Sequence, residues 1–314
     1  MSTGARPRIS VITCSHNPRA DYLTRVLAAL REQTIDPSQW ELVIVDSAST
    51  DPLSARIDLS WHPAGRIVRE NEAGLTRARL RGIAESSGSL LVFVDDDNVL
   101  DADFLEQAVR IYESRPDIGS WSGASRPGFD EPAPEWTRRH WGNLVLRDVP
   151  HDLWSNLPML PDTMPCGAGL CVRRSVATCY VQLHEGGKRP FALDRNGTSL
   201  LSGGDNDLAA CACDIGLGVG VFGAMRLTHL IPANRLSESY LLALAENIAL
   251  STVILRSFRS APGSIAVPSL KKRVANSIRS ALMSPRERRI FRAVRRGESR
   301  ALAQLAALRT TTRS

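Results

Sequence analysis

The segment Leu90-Leu91-Val92-Phe93-Val94 is apolar at every position and then stops at three consecutive carboxylates, Asp95, Asp96 and Asp97. Side chains of an extended strand point alternately to opposite faces, so such a run needs apolar cover on both sides. The rest of the chain supplies candidates for that cover. ISVITC at 9–14, ELVIV at 41–45 and RIVR at 66–69 read as further strands. Between them, 21–33, 75–86 and 101–114 carry helical spacing, with Leu23, Val26, Leu27 and Leu30 on one face of the first. This alternation predicts βαβ units and an α/β fold with a mostly parallel sheet flanked by helices. Ligands of such sheets bind beyond the carboxyl ends of the strands. Those ends carry Ser15 and Asn17, then Asp46, Ser49 and Asp51, then Asp95 to Asp97.

The triple carboxylate is the costly feature. Two charges ~4 Å apart at an effective dielectric of ~20 repel by about 4 kcal/mol. A divalent cation removes that penalty, and an oxygen-rich ligand set favours a hard ion, Mg²⁺ or Mn²⁺. Asp101 and Asp103 have similar spacing but stand at a helix start, where capping is expected.

Downstream, 126–165 is rich in Pro and Trp and lacks periodicity, as a cleft-shaping segment would be. Residues 205–214 read as a helix and 217–227 as a strand. Gly218 to Gly223 fits G-x-G-x-x-G but has no strand–turn–helix context, and is expected to be a Gly-rich strand. Asn196-Gly197-Thr198 fits the glycosylation triplet, which is empty of meaning in a cytoplasmic chain.

The net charge of +6 hides two opposite parts. Residues 256–314 hold 15 Lys and Arg against 2 Asp and Glu, leaving 24 basic and 31 acidic side chains in the first 255. Nucleic acid is therefore not the expected partner of an acidic body with a basic tail. Within 286–308, Ile290, Val294, Leu302, Leu305 and Leu308 line one helical face among many arginines. Either docking on an anionic membrane surface or packing on the body, including self-association, fits that pattern. The six cysteines show no zinc-ligand spacing, and MSTGARPRIS lacks the apolar core of a signal peptide. Tyr240 to Leu255, the most apolar stretch, is interrupted by Glu246 and Asn247 and reads as too short for a span. A cytoplasmic location is expected, with peripheral attachment to the inner face of the membrane as one option.

ISVITCSHN, ELVIVDSASTD, NEAGLTRARLRGI, LLVFVDDDN and GGDNDLAA follow one another over about residues 8–235. In that set and order the chain resembles the family 2 glycosyltransferases. The resemblance implies the GT-A fold, a Rossmann-like nucleotide-diphospho-sugar transferase sheet, over 1–235, with a helical, basic C-terminal extension over 236–314. It implies an inverting enzyme that moves a sugar from a nucleoside-diphosphate donor to an acceptor hydroxyl, lipid-linked or not. Such activity belongs to polysaccharide, glycolipid or natural-product glycoside biosynthesis.

By the same resemblance, Asp97 and Asp95 would bind Mg²⁺ or Mn²⁺, completed by His229, and Asp96 would hold the donor ribose. Ser15, Asn17, Asp46, Ser49 and Asp51 would contact the nucleotide, Arg79 the diphosphate, and the small residues around Gly167 the sugar. Asp205 would be the catalytic base, with Asp207 as fallback. The chain departs from the pattern at Ser47, where a second acid is usual, at Leu80 in place of Asn, and at Gly204 in place of an acid. The alternatives are a nucleotidyltransferase, whose Gly-rich loop CSHNPRAD lacks, and a non-catalytic sugar- or nucleotide-binding homologue.

Overall fold

The computed structural model describes residues 9–191, 193–195, 200–261, 265 and 269–311; Asn196-Gly197-Thr198 lies outside them. Among the described residues one sheet of nine strands runs through the molecule. Strands β1 (Ile9–Ser15), β2 (Trp40–Ser47), β3 (Gly65–Glu70) and β4 (Leu90–Phe93) form its first half, in the order β3-β2-β1-β4 and all parallel. Helices α1 (Ala20–Arg31) and α2 (Leu75–Glu85) make the crossovers. Alternation explains the unbroken apolarity of 90–94. Leu90, Val92 and Val94 pack on one face with Val26, Leu30 and Phe104, while Leu91 and Phe93 pack on the other with Ala78, Val176 and Leu208.

The second half is mixed. It holds β5 (Asn98–Leu100), β6 (Ile118–Phe129), β7 (Leu153–Ser155), β8 (Leu170–Arg173) and β9 (Gly218–Ile231). β8 runs antiparallel between β4 and β6, β9 is parallel to β6, and β5 and β7 are antiparallel to β9. The expected α/β sheet is thus parallel up to β4 and mixed beyond it. Helices α3 (Phe104–Ser114), α4 (Arg174–Glu185) and α5 (Gly204–Asp214) flank it. The Gly218–Gly223 stretch is the start of β9, as its context suggested. Of Asp101 and Asp103, expected as helix caps, Asp103 takes the N-cap position of α3 without a side-chain cap bond, and Asp101 lies outside the helix. The cause is β5, which continues pairing with β9 to Asp101 and turns the Asp101 carboxylate toward Arg126.

The C-terminal part consists of α6 (Glu238–Ser257), α7 (Leu270–Ala281) and α8 (Pro285–Thr311). At 20 residues α6 is longer than the apolar run read from sequence, and by length and composition alone it could cross a membrane. In the structure Leu241 and Leu244 pack on Leu144, Leu146 and Ile231, and Leu250, Ile254 and Leu255 pack with Leu193 and Ala301. Four arginines of α8 are committed to α6. Arg286 and Arg289 meet Glu238, and Arg296 and Arg300 meet Glu246, the acid that interrupts the apolar run.

Gly297 is where the two helices come closest: a Cβ there would lie 2.0 Å from the Glu246 carbonyl oxygen. Helix propensity alone would make Gly297→Ala stabilising by about 1 kcal/mol. Because backbone blocks the methyl group, overpacking by about 1–3 kcal/mol should win instead. Thermal unfolding should therefore show a lower Tm for Gly297→Ala than for the parent; a rise would mean that α8 does not sit against α6 in this way.

Candidate active site

The parallel order β2-β1-β4 brings three strand ends side by side, so Ser47, Ser15 and Asp95–Asp97 face one cavity of about 290 Å³. Its far wall is built from Gly167, Ala168, Ser202, Asp205, His229 and Arg235. Ser15 donates its hydroxyl hydrogen to Asp96. Burial, and next the charge of Asp97, push the Asp95 and Asp96 carboxyls above the usual range. Asp97 is held below it although burial acts the other way, because His229 and Arg235 lie against it. Burial also pushes the Cys14 thiol, on the same wall, up to about 12, so it is neutral there.

The β5–β9 register creates the Asp97–His229 pair. Asn98 lies opposite His229, and the Leu230 N–H donates to the Asp97 carbonyl at 2.8 Å. His229 Nε2 then stands 3.4 Å from Asp97 Oδ2, while Nδ1 is 3.0 Å from the Leu144 carbonyl oxygen. The contact with the Leu144 carbonyl turns the ring so that Nε2 faces Asp97. Asn98 Nδ2 donates to Asp97 Oδ1 at 2.9 Å and Arg235 donates to Oδ2 at 3.1 Å.

No three His, Cys, Asp and Glu side chains among the described residues form a ready-made metal cage. An ion that keeps most of its coordination for phosphates and water needs only one or two protein ligands. Asp97, the imidazole beside it and the half-buried, charge-crowded Asp95 and Asp96 fit such an ion chemically.

Asp205 begins α5, where its Oδ2 accepts the Gly167 N–H at 2.6 Å. Its other oxygen has no hydrogen-bond donor among the described residues. Asp207, the fallback base, does not reach the cavity. It is buried and bridged by Arg189 at 2.6 Å and Arg259 at 2.7 Å, two residues beyond Asp205 and so on the opposite side of α5.

Several expected nucleotide contacts instead hold the loops together. Asp46 is buried and already accepts from the Ser49 and Leu53 N–H groups and from Arg69. The Asn17 N–H donates to Ser49 Oγ at 3.0 Å, and Asn17 Oδ1 accepts the Thr50 N–H at 2.9 Å, locking the two loops. Asp46, Ser49 and Asn17 are therefore not on the cavity wall, and Asp51 is exposed away from it. Ser47, where the pattern usually has an acid, does line the wall, as does His16, whose Nδ1 is 2.6 Å from the Ser47 carbonyl oxygen.

Arg79, expected at the diphosphate, lines the cavity and is not a solvated helix-face residue. It lies buried and donates to both carboxylate oxygens of Asp194, at 2.9 and 2.8 Å, with Thr76 donating to Oδ2 at 2.7 Å. Asp194 carried no sequence signal, yet it explains Gly204. A Cβ at position 204 would fall 2.0 Å from Asp194 Oδ2, so this carboxylate fills the space of the missing side chain. Arg195, Arg235 and Val145 also line the cavity without having been marked by the sequence. Arg235 was the most findable of them, six residues after His229 in the same strand-and-turn unit.

Removing one partner of a buried ion pair strands the other charge and costs about 3–5 kcal/mol. Asp194→Ala and Arg79→Ala should each show that loss in denaturant unfolding. The double variant should lose less than the sum by at least about 1 kcal/mol. Strict additivity would show that the two groups do not interact.

With this geometry in hand, the chain was compared with known proteins. Residues 10–179, more than half of the chain, match the family described as Glycosyl transferase family 2. Glycosyltransferase AglE of Haloferax volcanii is 29% identical over 110 residues, covering 34% of this chain. The match spans 36% of that relative, so the chain covers well under two thirds of its length. Two solved structures share the fold over nearly the whole chain. Mannosyltransferase PcManGT from Pyrobaculum calidifontis, in complex with GDP-Man and Mn²⁺, superposes with a TM-score of 0.58 at 18% identity, over 95% of this chain and 88% of that one. S. aureus TarS 1-349 superposes with a TM-score of 0.51 at 15% identity, over 97% and 92%. These neighbours carry the GT-A glycosyltransferase fold, and by its sequence the chain belongs to glycosyl transferase family 2.

Proposed function

We propose that the chain transfers a sugar, with inversion, from a nucleoside diphosphate to an acceptor hydroxyl. The observation that carries this reading is one cavity with the Asp97–His229 pair on one side and the one-sidedly tethered Asp205 on the other. A structural neighbour solved with GDP-Man and Mn²⁺ supports the same donor and ion class. Mg²⁺ or Mn²⁺ would be held by Asp97 with Asp95 and His229. Bound there, it would neutralise charge growing on the departing diphosphate.

Everything else falls to the chain. The Gly167 N–H fixes one Asp205 oxygen and leaves the other to accept the acceptor's proton as its oxygen bonds to the anomeric carbon. The bond from that carbon to the diphosphate breaks in the same step, and the nucleoside diphosphate leaves. Asp96, oriented by Ser15, is the candidate ribose contact. Residues 1–235 would carry this chemistry, in polysaccharide, glycolipid or natural-product glycoside formation in the cytoplasm.

The extension over 236–314 would meet an anionic inner membrane face through α7 rather than α8. α7 and the residue after it leave Leu270, Ile278 and Leu282 exposed, whereas four arginines of α8 are paired with α6. Sedimentation with anionic vesicles should fall several-fold in Ile278→Asp/Leu282→Asp. Unchanged sedimentation would remove α7 from the account.

Turnover of a nucleotide-sugar panel with Mn²⁺ tests the chemistry. Asp205→Asn should lower kcat for transfer by about 10²–10⁴-fold with donor KM within a few-fold. Asp97→Ala should lose the Mn²⁺ stimulation. Variants that turn over like the parent would refute these roles.

A further inference from the structure

On the other side of Asp205 lies a second cavity of about 390 Å³, which shares only Val145, Ser202 and Asp205 with the first. Asp205 therefore lines both cavities, and an acceptor has a place of its own. This step rests on the transfer reading above and deepens it.

Four separate stretches build the second cavity: 142–147, 159–166, 202–206 and the α6 face at Ile248, Thr252 and Arg256. Polar groups gather near Asp205, where Ser202 and Asn206 stand. Away from it, apolar Leu146, Met159, Met164 and Ile248 share the lining with polar Asn143 and Thr252. Of the two arginines on the lining, Arg147 is committed to the Pro161 and Met164 carbonyls, and Arg256 is exposed to water. The apolar character continues outward along the chain. Leu157 and Leu160, beside Met159 in the chain, are 58% and 41% exposed.

Backbone strain points to the same place. Val145 and Met159 hold φ of 61° and 72°, a region costly for a β-branched or bulky side chain, and both line this cavity. Thioether side chains adapt to varied apolar shapes.

We propose that the second cavity binds the acceptor, and that the acceptor's reacting hydroxyl is carried by an apolar body, alkyl or aryl, rather than by a bare sugar. The hydroxyl would lie toward Asp205 and Ser202. The apolar body would lie on Met159, Met164 and Ile248 and extend toward Leu157 and Leu160. The α6 residues make the C-terminal extension part of acceptor selection.

Calorimetry on the full chain saturated with nucleoside diphosphate and Mn²⁺ tests this. The probes are methyl, p-nitrophenyl and n-octyl glucosides, the last below its micelle concentration. The octyl or p-nitrophenyl glucoside should bind at least about ten-fold tighter than the methyl glucoside, and which of them does so separates a lipid-like from an aromatic acceptor. Thr252→Trp, which fills the cavity, and Met159→Glu, which charges it, should each cut that preference to under about three-fold; the second variant covers a folding failure of the first. Equal affinity for all three glucosides, or a preference that survives both substitutions, overturns the proposal. No nucleoside diphosphate binding with any base would overturn the transfer reading itself, whereas intact nucleotide binding without apolar preference removes only the acceptor assignment.

Discussion

Three carboxylates at the end of a buried strand set a charge problem that the surrounding structure is arranged to solve. The end of β4 is partly buried, so solvent screens these charges less than it would on an open surface. The chain meets this in graded fashion. Asp97 is given His229, Arg235 and the Asn98 amide, while Asp96 has Ser15 and Asp95 has no such partner. The resulting cleft is electrostatically incomplete on the side of Asp95 and Asp96. That incompleteness is what makes it receptive to a cation arriving with a polyanionic ligand, the usual situation for hard ions that retain open positions.

The same cleft shows which parts of a fold can be read along a chain. β1, β2 and β4 are apolar on both faces, and an unbroken run of Val, Ile and Leu has few other meanings. Their ends, Ser15 and Asp95 to Asp97, follow from the strands. Asp205 was legible from its motif. By contrast, Asp194 and Arg235 reach the site only through long-range geometry: a salt bridge to α2 for one, and the turn after β9 for the other. Asp46 and Asn17 are instructive in the opposite sense. Polar residues at strand ends suggested ligand contact, but loops must satisfy their own backbone N–H groups first, and these side chains do that. Asp101 misled because three residues of β5 were too short to leave a periodic signal.

The basic C-terminal part, read alone, resembles a sequence looking for an anionic surface. Four of its arginines are met within the molecule by two glutamates spaced two helical turns apart on α6. Exposed ion pairs of this kind contribute little stability individually. Their value here is in register, since they align α8 along α6 while Gly297 lets the backbones touch. α8 thereby backs the helix whose opposite turns contribute Ile248 and Thr252 to a cavity wall.

The close approach of Asp194 to Gly204 has a consequence for how this site can change. The two positions compete for one volume: any side chain at 204 must displace the carboxylate at 194, and Arg79 with it. Neither position is free to drift by itself. A variant with an acid at 204 would have to give up the one at 194, so the two positions share one occupied space.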